Sequence, residues 1–494
     1  MEKKYIQFPF FVFLVPVFFV LHGYSQNFGF INFSECLLLM VTYLIPTVAL
    51  YFSFYLLFKN HIKASLAAGL LISFYLFFGS IHDFLNDRRI FLHKYIIILP
   101  AFAILLIIVI GWLKKTGRTF ARTSLFFNVL LVLYLLIDLG VIGSKIINPP
   151  ANKFAVYSFV GTDPYRVCQG CQKPDIYLLL FDEYSSSSSL SKVYHYDNNG
   201  LDSFLHNEGF HILTASRSNY NITPFSMASI LNMSYLRGVH DGYAAAEDYA
   251  YSDKLIRDNE VIKFLSYQGY SIINYSIFDL AGNPSRVDED FLPLKTKLIT
   301  SATLFSRMKR DLGWHLYMGR LAIRALGEKR VRGTLDNNSL LLELTKKESE
   351  LKTDRPRFIY THVEMPHYPF FFDKSGNRRS DSLMNRETPD NTIEGYLGYI
   401  PYTNNKLKDL IKTIQKNTER KAVIIFMGDH GFRYENRYYF PASCFQNQNA
   451  VYFPDGDYSL FYDSITGVNQ FRVVFNKIFN QKIPMLKDSV IFLQ

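Results

Sequence analysis

"PDIYLLLFDEY", residues 174–184, holds an unbroken apolar run, Ile176–Phe181, that ends abruptly in two carboxylates, Asp182 and Glu183. A strand with one wet face alternates apolar and polar residues. A run with no polar interruption is buried on both faces, as in a parallel sheet covered by helices. Downstream the pattern recurs: a helix-like stretch near 198–209, then "FHILTAS", a helix headed by Thr223, a helix around 258–268 and the strand "SIINYSIF". Helices within 300–350, "RFIYTHVEMPHYPF", a long helical stretch at 391–417 and "AVIIFMGDHG" follow, and "NAVYFP" and "SITGVNQFRVVFNKIF" close the chain with a strand and a helix. Strands alternating with helices predict an α/β domain on a mostly parallel sheet.

Upstream the composition changes. Hydrophobic residues make up 49% of the 494-residue chain and aromatic ones 16%, and the excess is concentrated before residue 146. Five apolar runs, Phe8–Leu21, Cys36–Phe58, Ala64–Phe78, Tyr95–Trp112 and Thr123–Ile142, are candidates for spanning helices. The first is short and carries Pro9 and Pro16, but no small-residue cleavage site follows it, so it reads as a retained anchor rather than a signal peptide. The predicted organisation is a transmembrane bundle of about five spans over 1–146, a linker with a Cys-x-x-Cys pair over 147–171, and an α/β domain over 172–494.

The basic segments "MEKK", "KNHIK" and "KKTGRTFAR" fall on one side of this bundle, which places the N-terminus in the cytoplasm. An odd number of spans then puts the α/β domain outside. The net charge of +10 is assigned to a face toward anionic lipid, because no nucleic-acid-binding motif is present and no nucleic acid partner is expected. In an oxidising compartment Cys168 and Cys171 of "CQGC" are expected to form a local disulfide, with Cys444 free. A redox pair would sit in a βαβ context, and a zinc site would need two further ligands.

In open α/β sheets ligands bind beyond the carboxyl ends of the strands, so the informative polar residues are those directly after the apolar runs. These are Asp182 and Glu183, then His362 and His367, then Asp429 and His430. In "SNYNITPFSMASIL", residues 218–231, Thr223 reads as a helix N-cap with Pro224 as the first helical residue. A hydroxyl there also lies beside free backbone N–H groups and the positive end of the helix dipole, which suits an anionic phosphate or sulfate group. Two carboxylates, one imidazole and a hydroxyl fit a single Zn²⁺ or Mn²⁺ ion. Each residue alone has a plainer reading as a turn, cap or surface residue; their occurrence in order at strand ends gives the pattern its weight.

That order resembles the alkaline phosphatase superfamily, in its sulfatase-like branch, over roughly 172–480. "PDIYLLLFDEY" is similar to its first strand with a metal-binding acid, "NITPFSMASIL" to its nucleophile helix, "FIYTHVEMPHYPF" to its His–Pro substrate loop and "VIIFMGDHG" to its second metal-binding strand. The resemblance implies Asp182, Asp429 and His430 as metal ligands together with Thr223, which is also the nucleophile, and His367 with His362 as contacts to the substrate or leaving group. The membrane part resembles that of lipoteichoic acid synthases and lipid A phosphoethanolamine transferases, which also use threonine. Threonine cannot give the formylglycine aldehyde of classical sulfatases. No histidine follows His430, where the family often has a further His or Lys, so Arg433, Arg437 or Lys482 is the candidate replacement.

The expected activity is therefore transfer of a phospho-head group, of phosphoethanolamine or phosphoglycerol type, from a membrane lipid donor to an envelope glycan or lipid acceptor. The expected setting is a multi-pass protein of a bacterial inner membrane with its catalytic domain outside the cytoplasm. Hydrolysis of a phosphate or sulfate ester uses the same residues, and a non-catalytic protein of the same fold is the remaining alternative.

Overall fold

The computed structural model describes residues 8–88, 90–91, 94–148, 167–242, 244, 246–287, 296–311, 324–380, 389–433 and 442–493. The chain divides into two compact units, Met1–Ala151 with Pro293–Leu316, and Asn152–Leu292 with Tyr317–Gln494.

The first unit is helical: α1 (Phe11–Gln26), α2 (Phe33–Phe58), α3 (His61–Leu76), α4 (Phe78–Asp87), α5 (Tyr95–Lys115) and α6 (Ala121–Ile147). All five expected runs are helical. Among the described residues, three helices, α2, α5 and α6, are long and apolar enough to cross a membrane, and α3 with α4, bent by 60°, makes a fourth if the pair is one span. α1 has 16 residues and falls short of that length, so the expected count of about five becomes three or four. The outer surfaces of these helices are apolar, with Ile96 81% and Ile107 69% exposed, as lipid-facing positions require. Inside, small residues let backbones approach: Ala64, Ala67 and Ala68 of α3 are fully buried. Asn128 of α6 accepts the Phe11 N–H at 2.8 Å and donates to Phe8 O at 2.9 Å, which satisfies polar groups at the start of α1.

Helices Lys297–Thr300 and Leu304–Asp311 also belong to this unit, although they fall inside the stretch 172–494 expected to form the outer domain. Ile299 is buried against Gly23, where a Cβ would lie 2.9 Å from its side chain; the Gly79 N–H donates to Ala302 O at 2.7 Å, and Arg307 pairs with Asp83.

The second unit is built on a six-stranded sheet of β1 (Ile176–Phe181), β2 (His211–Ile212), β3 (Ser271–Tyr275), β4 (Arg357–Val363), β5 (Val423–Met427) and β6 (Asn449–Tyr452), in the order β2-β6-β5-β1-β4-β3. β1 lies at the centre, parallel to β4 and β5, and β3 extends the parallel set; β6 runs antiparallel to β5, and β2 to β6. Every residue of β1, β4 and β5 is buried, as the continuous apolar runs of β1 and β5 predict, whereas β4 also buries Arg357, Thr361 and His362. The register sets Leu180 opposite both His362 and Met427, so the residues after β1 and β5 and the last residues of β4 meet at one edge. Cys168 is disulfide-bonded to Cys171, whereas Cys36 and Cys444 are free and buried.

Candidate active site

Asp182 follows β1 directly, with its N–H donating to Val363 O of β4 at 2.9 Å. Asp429 and His430 stand two and three residues beyond β5. Suitable ligand atoms of Asp182, Asp429 and His430 all lie within 4.8 Å of one another, and all three residues are buried. Gly428 makes this turn possible, because a Cβ there would lie 2.5 Å from Tyr184 O.

Thr223 is the first residue of helix Thr223–Asn232, whose N-cap is Ile222, so the expected cap assignment is displaced by one residue. Its hydroxyl makes no capping bond. Instead Oγ1 lies 3.2 Å from His430 Nε2 and 3.4 Å from Asp182 Oδ1. Pro224 has no N–H, and the N–H groups of Phe225 and Ser226 both donate to Ile222 O, so this helix end offers fewer free donors than its position suggests. The helix is pinned to the strand end by Ser226, whose hydroxyl donates to Asp429 O at 2.6 Å.

The donor set fits a divalent cation. His430 Nδ1 lies 2.8 Å from Gly431 O, an acceptor only, so the ring proton belongs on Nδ1. Burial lowers the His430 pKa and keeps the ring neutral, which leaves a lone pair on Nε2. That lone pair faces Asp429 Oδ2 at 3.2 Å, and Oδ2 is buried with no hydrogen-bond donor. Two acceptors face to face in a dry pocket repel unless a cation lies between them. Burial, reinforced by the charge of Asp429, raises the Asp182 pKa well above the usual carboxylate range. Burial opposes ionisation of Asp429 too, yet its pKa is lowered, with the Glu183 N–H that donates to Oδ1 among the causes. Hard carboxylates with one imidazole suit Zn²⁺ or Mn²⁺.

The two loop histidines part company. His362 is a fully buried residue of β4, 2.9 Å from the Tyr360 hydroxyl through Nδ1, with Nε2 unpartnered; burial lowers its pKa to about 3. His367 is partly exposed, its Nδ1 2.6 Å from Tyr368 O and its Nε2 3.9 Å from Glu183 Oε2. Glu183 does not join the metal-ligand cluster: its carboxylate accepts from Arg433 N at 2.9 Å and Nε at 3.4 Å. Of the three candidate replacements for a downstream histidine, Arg433 is thus at the site, Lys482 is exposed in the C-terminal segment, and Arg437 lies outside the described residues. Glu364, buried and close enough to raise the Asp182 pKa, escaped the sequence reading because it follows β4 within a motif read for its histidines.

A model of the sulfatase family matches residues 184–473, more than half of the chain. The chain belongs to the sulfatase family. The match begins two residues after Asp182 and takes in Thr223, His362, His367, Asp429 and His430. This family member is a sulfatase-like enzyme. Structures with similarity include the C-terminal periplasmic domain of EcEptC from Escherichia coli, at 11% identity and a TM-score of 0.38, covering 69% of this chain and 92% of that one. The C-terminal periplasmic domain of phosphoethanolamine transferase EptC from Campylobacter jejuni is similar at 14% identity and a TM-score of 0.39, over 64% and 92%. The phosphonate monoester hydrolase of Agrobacterium radiobacter gives 14% and 0.37, over 62% and 74%. No curated protein matches the chain.

Proposed function

We propose that this family member is a membrane-bound transferase in which Thr223 accepts a phospho-head group from a phospholipid and passes it to an envelope glycan or lipid. The observation that carries the reading is the position of Thr223 Oγ1, free of capping and within 3.4 Å of both Asp182 Oδ1 and His430 Nε2. Asp182, Asp429, His430 and Thr223 would together hold one divalent ion, Zn²⁺ or Mn²⁺. Such an ion, when bound, supplies the positive charge that favours an alkoxide and polarises a phosphoryl oxygen. The chain's own residues do the rest. Thr223 Oγ1 bonds to phosphorus as the bond from phosphorus to the diacylglycerol oxygen breaks, and the proton given up by the Thr223 hydroxyl is balanced by one taken up by that oxygen, with partly exposed His367 as the candidate imidazole for the transfer. The acceptor hydroxyl then attacks the same phosphorus and restores Thr223.

Lipid as donor is supported by the apolar helices carried on the same polypeptide, since donor and enzyme then share one bilayer. Placement of the second unit outside the cytoplasm, in a multi-pass inner-membrane protein, is supported by the Cys168–Cys171 disulfide, which an oxidising compartment favours. The test incubates the purified full chain, loaded with zinc, with head-group-labelled phosphatidylethanolamine or phosphatidylglycerol. Diacylglycerol release with label on Thr223, identified by peptide mass spectrometry, is the expected result. Release with no label on Thr223 contradicts the covalent route, and label that passes only to water assigns hydrolysis instead.

A further inference from the structure

The residue after Asp182 is also acidic, yet its carboxylate turns away from the cluster. Glu183 takes φ +62°, a left-handed conformation that a non-glycine residue adopts only when its surroundings enforce it. They do so through two backbone bonds: the Glu183 N–H donates to Asp429 Oδ1 at 2.9 Å, and the Tyr396 hydroxyl donates to Glu183 O at 2.9 Å. With the backbone held at the cluster, the side chain is directed to the loop after His430, where Oε1 accepts from Arg433 N and Nε, and Oε2 lies 3.9 Å from His367 Nε2. Glu183 is 4% exposed, whereas the Arg433 and His367 side chains are 34% and 27% exposed, so the carboxylate is the buried anchor and the two basic groups are the accessible ends.

Arg433 is within electrostatic reach of Asp182, Asp429 and His430. An anionic group approaching Thr223 meets the carboxylates of Asp182, Asp429, Glu183 and Glu364, and needs fixed positive charge to do so. A guanidinium held along one edge by a buried carboxylate keeps its remaining N–H groups aimed and available, the arrangement suited to phosphate or sulfate oxygens.

We propose that Glu183 is a positioning residue: it holds Arg433, with His367 beside it, so that the guanidinium receives the non-reacting oxygens of the anionic group bound at Thr223. The inference rests on the reading of this site as one for phosphate or sulfate transfer. It makes Glu183 a holder of the substrate clamp and excludes it from the metal ligands. A plain loop staple would use the same bonds but would leave anion affinity unchanged.

The experiment uses the zinc-loaded full chain and inorganic phosphate as the probe, with zinc content, thermal stability and phosphate affinity by calorimetry measured on the same preparations. The variants are Glu183→Gln, Arg433→Gln, the double variant and Glu183→Asp. Each Gln variant should keep its zinc and bind phosphate about tenfold more weakly, as loss of an aligned charge-assisted contact implies. The double variant should be no weaker than Arg433→Gln alone, since Glu183 acts only through Arg433. Glu183→Asp should recover part of the loss. Zinc lost from Glu183→Gln makes Glu183 a ligand and overturns the proposal; so do additive losses in the double variant, unchanged phosphate affinity, or a parent protein that binds no phosphate. If Glu183→Gln does not fold, Arg433→Gln and Glu183→Asp still decide: both must weaken phosphate with zinc retained. Turnover surviving in Thr223→Ala would defeat the transferase reading and leave these binding results standing, so the two failures are separable.

Discussion

Asn128 in α6 and Asp429 beyond β5 are both almost fully buried polar residues, and they differ in what the chain does with them. Asn128 has its oxygen filled by the Phe11 N–H and its amide given to Phe8 O. Asp429 has one oxygen filled by the Glu183 N–H while the other, Oδ2, faces the lone pair of His430 with no donor. A buried group that holds a fold together is satisfied by the fold, because an unmade bond in a dry interior costs about 1–3 kcal/mol. A site residue can be left incomplete, because a ligand completes it. Asp138 in α6 lies between the two cases, with Oδ1 3.0 Å from His22 Nδ1 and Oδ2 unpartnered.

The contrast fails or sharpens under mutation. Asp429→Asn keeps an oxygen for the Glu183 N–H and removes the charge, so the folded protein should lose metal affinity by more than the 10- to 100-fold that an outer partner costs; zinc content by mass spectrometry of the folded variant decides it. Full zinc in Asp429→Asn would make the unpartnered oxygen an accident of packing.

Next in size is the pH dependence. Burial and the charge of Asp429 raise the Asp182 pKa, so in metal-free protein Asp182 holds its proton above the ordinary carboxylate range. The unfolded chain has already released that proton, so metal-free stability should fall as pH rises from the ordinary aspartate range toward the raised value. Zinc displaces the proton, so zinc affinity should rise over the same window and the metal-loaded protein should lack the decline. Thermal denaturation of both forms across this window is the check, and parallel curves would refute the assignment.

Smallest is Asn128→Ala, which leaves the Phe11 N–H and Phe8 O unpaired and should cost about 1–3 kcal/mol in detergent-solubilised protein. Zinc content and turnover per folded molecule should not change. A loss of zinc there would erase the distinction between the two regions.

How much of this was legible in the sequence follows the same division. Ile176–Phe181 and Val423–Met427 are apolar without interruption, so they could be read as buried strands, and the residues after them as the site edge. Thr223 could be placed at a helix start, but not in its frame, because Pro224 is acceptable at either of the first two helical positions and only the backbone shows Ile222 as the cap. Glu183 was unreadable for a different reason: its direction is set by a left-handed φ enforced by Asp429 and Tyr396, residues more than 200 positions away. The span count was blurred because an apolar run does not reveal the 60° bend between α3 and α4. Helices Lys297–Thr300 and Leu304–Asp311 hid their attachment to the first unit, because their lysines and arginines look like a solvated surface while Ile299 is buried against Gly23.

The most direct test of the central claim is the turnover of Thr223→Ala on a folded, zinc-loaded preparation, read as diacylglycerol released from labelled phospholipid. Thr223 makes no capping bond, so the change should move stability by no more than about 1 kcal/mol, and zinc should be retained through Asp182, Asp429 and His430. Turnover should fall about a thousandfold or more, since no atom remains to bond to phosphorus, with partial activity returning in Thr223→Ser. Near-parental diacylglycerol release by Thr223→Ala with zinc in place would contradict the account.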